Sequence, residues 1–236
     1  MNFIDFTFLK IINCIIIKFV EITVFQQIEI MMHCTLCENP LENKVDDFYF
    51  HCNVCDAYVK DSQFYINSQQ EKKRYEAHNN DVNDAGYQKF TSPITNFILQ
   101  NYSPNHLGLD FGCGKGPVIS EQLQKHGFQV KLYDPFFYPD ENYLNFKYDY
   151  IFSCEVFEHF HHPKNEIDKL LHLLKTSGKL LVMTHLYDGE IAFSNWYYRN
   201  DPTHVFIYTS NTFAYIATKY QLNLGFQNNR FIILQK

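Results

Sequence analysis

Four cysteines fall in two pairs, Cys34–Thr35–Leu36–Cys37 and Cys52–Asn53–Val54–Cys55, with fourteen residues between them. A CxxC turn presents two thiolates to one ion. Two such turns complete a tetrahedral four-thiolate zinc site with Zn–S near 2.3 Å. Such a site is closed, so its role is structural. The other use of CxxC is redox chemistry, which wants a following helix in a strand–helix–strand unit, and no such pattern follows either pair. His33 and His51 precede the pairs and read as spectators. A second feature is LGLDFGCGKGPVIS, Leu107–Ser120, where an apolar run ends in Asp110 and leads into Gly112, Cys113, Gly114 and Gly116. Glycines let the backbone turn tightly and approach a ligand, and they expose amides at a helix N-terminus. The third feature is Glu155, Glu158 and His159, with His204 following 45 residues after His159. Two carboxylates and two imidazoles that converge can hold a divalent ion, which lowers the pKa of an acceptor hydroxyl. Without an ion, His159 or His204 can serve as general base. Mixed Glu/His ligation suits several metals.

The elements around these groups follow from pattern. Leu107–Phe111 is a short apolar run, read as a buried parallel strand. Pro117 sits at the first helical position, and Gly127 stops that helix near His126. Gln129–Tyr133 is the next strand and ends in Asp134 and Pro135. Asp134 lies 24 residues after Asp110, where a carboxylate can accept both ribose hydroxyls of a nucleoside. Tyr148–Cys154 is a further strand. Pro163 opens an amphipathic helix that Gly178 is expected to end. Lys179–Thr184 is a strand, residues 185–209 an aromatic loop, Ser210–Tyr220 a helix, and Leu222–Phe226 with Phe231–Leu234 the last two strands. Ser68 to Glu71 reads as a capping box opening a helix to about His78. Arg74, Tyr75, His78 and Asn79 on that helix, with Trp196, Tyr197 and Asp201, form a candidate lid over the acceptor. Asp46–Phe50 reads as a short strand between the cysteine pairs. Cys113 and Cys154 read as small core residues rather than nucleophiles.

The pattern (apolar)-Asp-x-Gly-x-Gly-x-Gly at Asp110–Gly116, with the acid-tipped strand ending at Asp134, resembles motif I of class I S-adenosylmethionine (SAM) methyltransferases. EVFEHFHHP, Glu155–Pro163, resembles the segment after that family's fourth strand. EKKRYEAHNND and DPTHVFIY resemble a bacterial subset that carries an N-terminal zinc ribbon. The resemblance covers about residues 64–236. It implies an α/β fold: a Rossmann-like sheet flanked by helices, with a small zinc ribbon before it. It further implies SAM as cofactor, with Asp110 near the methionyl ammonium and the glycine amides, Cys113, Pro135 and Glu155 lining it. Small-RNA 2′-O-methyltransferases and ubiquinone-pathway O-methyltransferases use a similar ExxEH for metal. Only 13 residues separate Asp134 from Tyr148, where the family usually fits a helix and a third strand, so that helix must be shortened or missing. No Asp/Asn-Pro-Pro-aromatic follows the fourth strand, which disfavours DNA-amine methylation.

The expected segments are 1–31, 32–62 (ribbon), 63–105 (lid and linker helices) and 106–236 (SAM-binding domain). The chain has 236 residues, 46% hydrophobic and 19% charged, which excludes intrinsic disorder. Net charge is −6, which argues against duplex DNA, a partner bound through Lys/Arg–phosphate contacts. Residues 33–60 carry only Lys44 and Lys60 as basic residues, so a small-molecule acceptor is expected ahead of RNA. Asp5, Lys10, Asn13, Lys18 and Glu21 interrupt every apolar window near the start, so no membrane span is expected. Met31 or Met32 reads as the native start, with the preceding stretch a mis-assigned extension. Paired CxxC motifs point to a reducing compartment, the cytoplasm.

Overall fold

The two cysteine turns are near copies of each other. In each, the first cysteine's carbonyl accepts the amide four residues on: Glu38 N–H to Cys34 and Asp56 N–H to Cys52, both 2.8 Å. Glu38 and Asp56 both take the left-handed conformation (φ 65° and 60°) that closes such a turn. This computed structural model describes residues 31–77 and 81–236. The expectations for residues 1–30, His78 and Asn79 fall outside them. The turns carry three short strands, β1 (Asn43–Lys44), β2 (Tyr49–His51) and β3 (Tyr58–Lys60). The strand expected over Asp46–Phe50 starts later, because the Asp46 carboxylate accepts the amides of Phe48 and Tyr49 and makes a turn there.

Helix α1 (Ser68–Glu76) is capped by Asn67, not Ser68: Asn67 Oδ1 accepts the Gln70 amide and Gln70 returns the bond to Asn67 N–H. The capping box is therefore shifted by one residue from the expected one. Helix α2 (Ala85–Asn101) follows, then β4 (Leu107–Phe111), α3 (Val118–Lys125), β5 (Gln129–Tyr133) and β6 (Tyr148–Cys154). Pro117 is the N-cap of α3, one residue earlier than expected. Only a 3-10 turn, Glu141–Asn145, lies between β5 and β6. Its Tyr143 is buried and packs 4.1 Å from Tyr133, taking up space beside the edge strand. Helix α4 (Pro163–Leu173) leads straight into β7 (Leu174–Met183). Gly178 does not end the helix. Leu174 already pairs with Tyr148, an irregularity follows, and Gly178 sits inside the strand where a Cβ would lie 2.9 Å from the Lys175 carbonyl.

After β7 come β8 (Phe206–Ile207), α5 (Ser210–Tyr220), β9 (Asn223–Phe226) and β10 (Phe231–Gln235). Six strands form one sheet in the order β5-β4-β6-β7-β10-β9. The first four are parallel, and β10 runs antiparallel to both β7 and β9. Successive residues of β7 face opposite layers. Leu180 and Val182 pack with Ile167 and Leu170 of α4 and Phe213 of α5. Leu181 and Met183 pack with Ile94 and Ile98 of α2 and Leu123 of α3. The small sheet is completed from far away in the chain, since β8 pairs antiparallel with β3 in the order β1-β2-β3-β8. The apolar side of the ribbon (Leu36, Leu41, Val59) is continuous with the main core through Phe206 and Tyr208. No described helix is long and apolar enough to cross a membrane.

Candidate active site

The strand order reverses around β4, and a crevice forms at the carboxyl ends of strands at such a point. A cavity of about 960 Å³ lies there, lined by the turns after β4, β5 and β6, by α1 and by the loop before β8. Its first half is the glycine-rich turn. Gly112 and Gly114 have φ of +81° and +63°, and a Cβ on Gly112 would lie 2.5 Å from Val156. Three amides of this turn are engaged within the protein. Gly112 and Cys113 N–H donate to the Tyr133 carbonyl (2.8 and 3.1 Å), and Gly114 N–H donates to Asp134 Oδ2 (3.0 Å). Asp134 Oδ1 accepts the amides of Phe136 and Phe137. This carboxylate thus clamps two turns together while still lining the cavity, beside Pro135 and Cys113.

Asp110 and Gly116 are not among the lining residues. Asp110 is 4% exposed and accepts a 2.6 Å hydrogen bond from Ser120 Oγ. Burial pushes its carboxyl up to about 7, the Ser120 bond opposing. A carboxyl raised in the folded state stabilises the fold below its unfolded pKa of about 4, and that stability is lost as pH rises through about 7. Asp110→Asn is therefore expected to flatten the fall in melting temperature between about pH 4 and about pH 8, a difference of up to about 4 kcal/mol. Melting curves of both proteins across that range check it, and parallel curves would show that Asp110 ionises without cost.

The second half is built by the turn after β6 and the loop before β8. His159 Nδ1 lies 2.9 Å from the Thr203 carbonyl, and His204 Nδ1 lies 2.6 Å from the Tyr198 carbonyl. A carbonyl only accepts, so each Nδ1 carries the proton and each Nε2 keeps its lone pair. The rings are 4.9 Å apart. Burial lowers the pKa of both, that of His204 to about 3 with His159 adding to the effect, so both are neutral at pH 7. Glu158 is fully buried, and Tyr198 and Thr184 hydroxyls donate to its two oxygens (2.5 and 2.8 Å). Burial raises its carboxyl to about 7. One ligand atom each from Glu158, His159 and His204 lies within 4.8 Å of the others. Glu155 is not in that group. It takes a left-handed φ of 53°, lies 3.5 Å from Arg230 and 3.1 Å from the Tyr198 hydroxyl, and lines the cavity.

The candidate lid is split by the structure. Arg74 and Tyr75 line the cavity, with Arg74 donating from Nε and Nη2 to Asp201 Oδ2 (3.2 and 2.7 Å). Tyr75 spans both halves, edge-on to His159 at 5.2 Å and 5.6 Å from Phe136. Tyr197 is 59% exposed at the rim. Trp196 is not at the cavity. It is 5% exposed in an aromatic cluster with Tyr49, Phe193 and Tyr198.

The ribbon reaches this half directly. Tyr49 hydroxyl donates to the His204 carbonyl (2.6 Å), Lys60 Nζ to the Pro202 carbonyl (2.9 Å), and Lys60 N–H to the Val205 carbonyl (2.9 Å). His51 pairs with Asp56, whose other oxygen accepts from Thr209 and Asn211 at the start of α5. The cysteine sulfurs all lie within 4.8 Å of one another, with Cys34–Cys55 at 3.5 Å and Cys37–Cys52 at 3.4 Å. A disulfide needs about 2.05 Å. A tetrahedron with Zn–S near 2.3 Å has edges of about 3.8 Å. The cluster is thus compatible with a zinc ribbon.

A sequence family described as a methyltransferase domain matches residues 78–225. The chain belongs to the methyltransferase-domain family. Two solved structures share the fold of this methyltransferase. An O-methyltransferase family protein from Burkholderia thailandensis has a TM-score of 0.50 at 12% identity, covering 74% of this chain and 61% of its own. This methyltransferase therefore spans less than two thirds of that relative. The 1,6-didemethyltoxoflavin-N1-methyltransferase of the same organism, solved with S-adenosylhomocysteine, has a TM-score of 0.50 at 13% identity, covering 78% and 96%. No curated protein sequence matches the chain. The matched family makes residues 78–225 a methyltransferase domain. Nothing in the sequence gives warning of Tyr198, Thr184, Tyr49 and Lys60. Tyr198 lies in a Trp-Tyr-Tyr-Arg run without periodicity, where nothing separates it from Tyr197. Tyr49 and Lys60 act through pairings some 150 residues away.

Proposed function

We propose that this methyltransferase acts on an oxygen of a small-molecule acceptor, with zinc held by Cys34, Cys37, Cys52 and Cys55 as a structural ion in a reducing cytoplasm. The observation that carries the reading is the pair of neutral histidines whose Nδ1 protons are tied to backbone carbonyls beside the glycine-rich turn. Bound SAM would supply an activated sulfonium methyl. The chain then has to align an acceptor hydroxyl, keep water out and take a proton. His204 or His159 Nε2 accepts that proton, and the buried Glu158 offsets the charge that forms. Asp134, Pro135, Cys113, Gly112 and Gly114 wall the cofactor half, and Tyr75, Arg74 and Asp201 close the acceptor half.

A divalent ion is the second reading. The two Nε2 lone pairs and the Glu158 carboxylate form a two-His, one-carboxylate donor set whose rings are already oriented by backbone hydrogen bonds. The residues fit such an ion, which would polarise an acceptor hydroxyl, and Glu155 would not be a ligand. RNA is disfavoured as acceptor because Lys60, one of the ribbon's two lysines, is buried against the catalytic loop. The test is transfer of a labelled methyl from SAM into cell extract split into small-molecule, RNA and protein fractions, with and without chelator. Label in small molecules is expected. Label in RNA overturns the acceptor class, and loss on brief chelation favours the second reading. Failure to bind SAM overturns the whole assignment in favour of a non-catalytic scaffold.

A further inference from the structure

We infer that the adenine of SAM is read by Glu166 and Lys169 of α4, over a floor formed by Phe111, Tyr133 and Phe160. This rests on the cofactor reading above. The chain has no strand between β5 and β6 to supply the far wall of a nucleoside slot, only the 3-10 turn Glu141–Asn145. The cavity instead runs over the α4 side of the sheet edge, where all five residues line it. Tyr133 immediately precedes Asp134, so a base extending from a ribose at Asp134 passes over Tyr133 first. Phe111 lies 5.1 Å from Tyr133 with rings inclined by 31°, and 6.1 Å from Phe160. Tyr133 and Phe111 are near-parallel enough to carry a flat heteroaromatic base, and Phe160, inclined by 73° to Phe111, borders it edge-on.

The rim supplies the polar edge. Lys169 Nζ donates to Glu166 Oε2 (2.8 Å) and lies 5.7 Å from the centre of the Phe111 ring. The pair is about one-third exposed, at 35% and 27% for the two side chains. Among the described residues none donates to Glu166 Oε1, and the ammonium has two further protons to give. An acceptor beside a donor is the complement of adenine, whose N6 amino group donates and whose N1 accepts. Hypoxanthine presents the reverse, an O6 acceptor and an N1–H donor. A site that hydrogen-bonds one edge leaves its polar groups opposed by the other.

The test measures binding of S-adenosylhomocysteine and S-inosylhomocysteine by calorimetry to the full chain, to Glu166→Gln and to Lys169→Met, with melting curves confirming that each variant is folded. The wild type is expected to favour the adenosyl compound by about tenfold or more. Each variant is expected to narrow that ratio, and Lys169→Met also to weaken the adenosyl compound by about fivefold. An unchanged ratio in both folded variants, or no discrimination by the wild type, would make Glu166–Lys169 an ordinary helix-surface pair and overturn the assignment. No binding of either compound by the wild type would overturn the cofactor reading and the subsite with it.

Discussion

Cys52→Ser is expected to lower methyl-transfer turnover by about 100-fold or more while leaving S-adenosylhomocysteine affinity within about threefold. The effect acts through the loop, not through the metal's own chemistry. The second cysteine turn sets the positions of Asp56, Tyr58 and Lys60, and these hold residues 201–211 by the β3–β8 pairing and by side-chain bonds. Arg199 adds a 2.6 Å ion pair to Asp46 between the same two parts. Tyr198 in that loop positions both His204 and Glu158. A shift of about 1 Å in such groups costs of the order of 100-fold. The glycine-rich turn and Asp134 are bonded to each other and to β5, so the cofactor half does not depend on the ribbon. The measurement combines zinc content, turnover and calorimetric binding. Equal turnover with zinc lost would show that the ribbon is a passenger.

The second large effect is expected at His204. His204→Gln should lower kcat by about 100- to 10,000-fold with little change in SAM affinity, the range for removal of a positioned general base. Glutamine can keep a donor toward the Tyr198 carbonyl but cannot take a proton. His159→Gln is the companion variant, since its Nε2 is equally available. The two variants together say which imidazole accepts the proton, and His204→Gln with full turnover would remove it from the reaction. Burial holds His204 near pKa 3, so it stays neutral over the ordinary assay range, and its titration should not produce an acid limb above about pH 5.

Local signals carried much of the fold. The alternating or continuous apolar runs at Leu107–Phe111, Gln129–Tyr133 and Tyr148–Cys154, and the helix Ser210–Tyr220, were all legible at their observed bounds. So was the absence of a full helix after Asp134, because chain length alone limits what fits in 13 residues. Gly178 misled because a glycine after an amphipathic run signals a helix stop as readily as a close approach inside a strand. The position of Asp110 in the motif was visible, whereas its bond to Ser120 depends on packing. Trp196 and Tyr198 could not be told apart in role, since an aromatic loop has no period to assign its faces. The pairing of β3 with β8 was invisible because two residues per strand carry no pattern of their own.

That same pairing has a consequence for biosynthesis. Residues 58–60 are made long before residues 206–207, with about 150 residues between them. At about 5–20 residues per second, β3 waits roughly 7–30 s for its neighbour. Throughout that interval the ribbon presents an unpaired strand edge with Tyr58 and Val59 uncovered, the kind of edge that other chains can pair with. A nascent chain that stalls before β8, or one released without its last strands, therefore exposes an adhesive edge that the finished protein has closed.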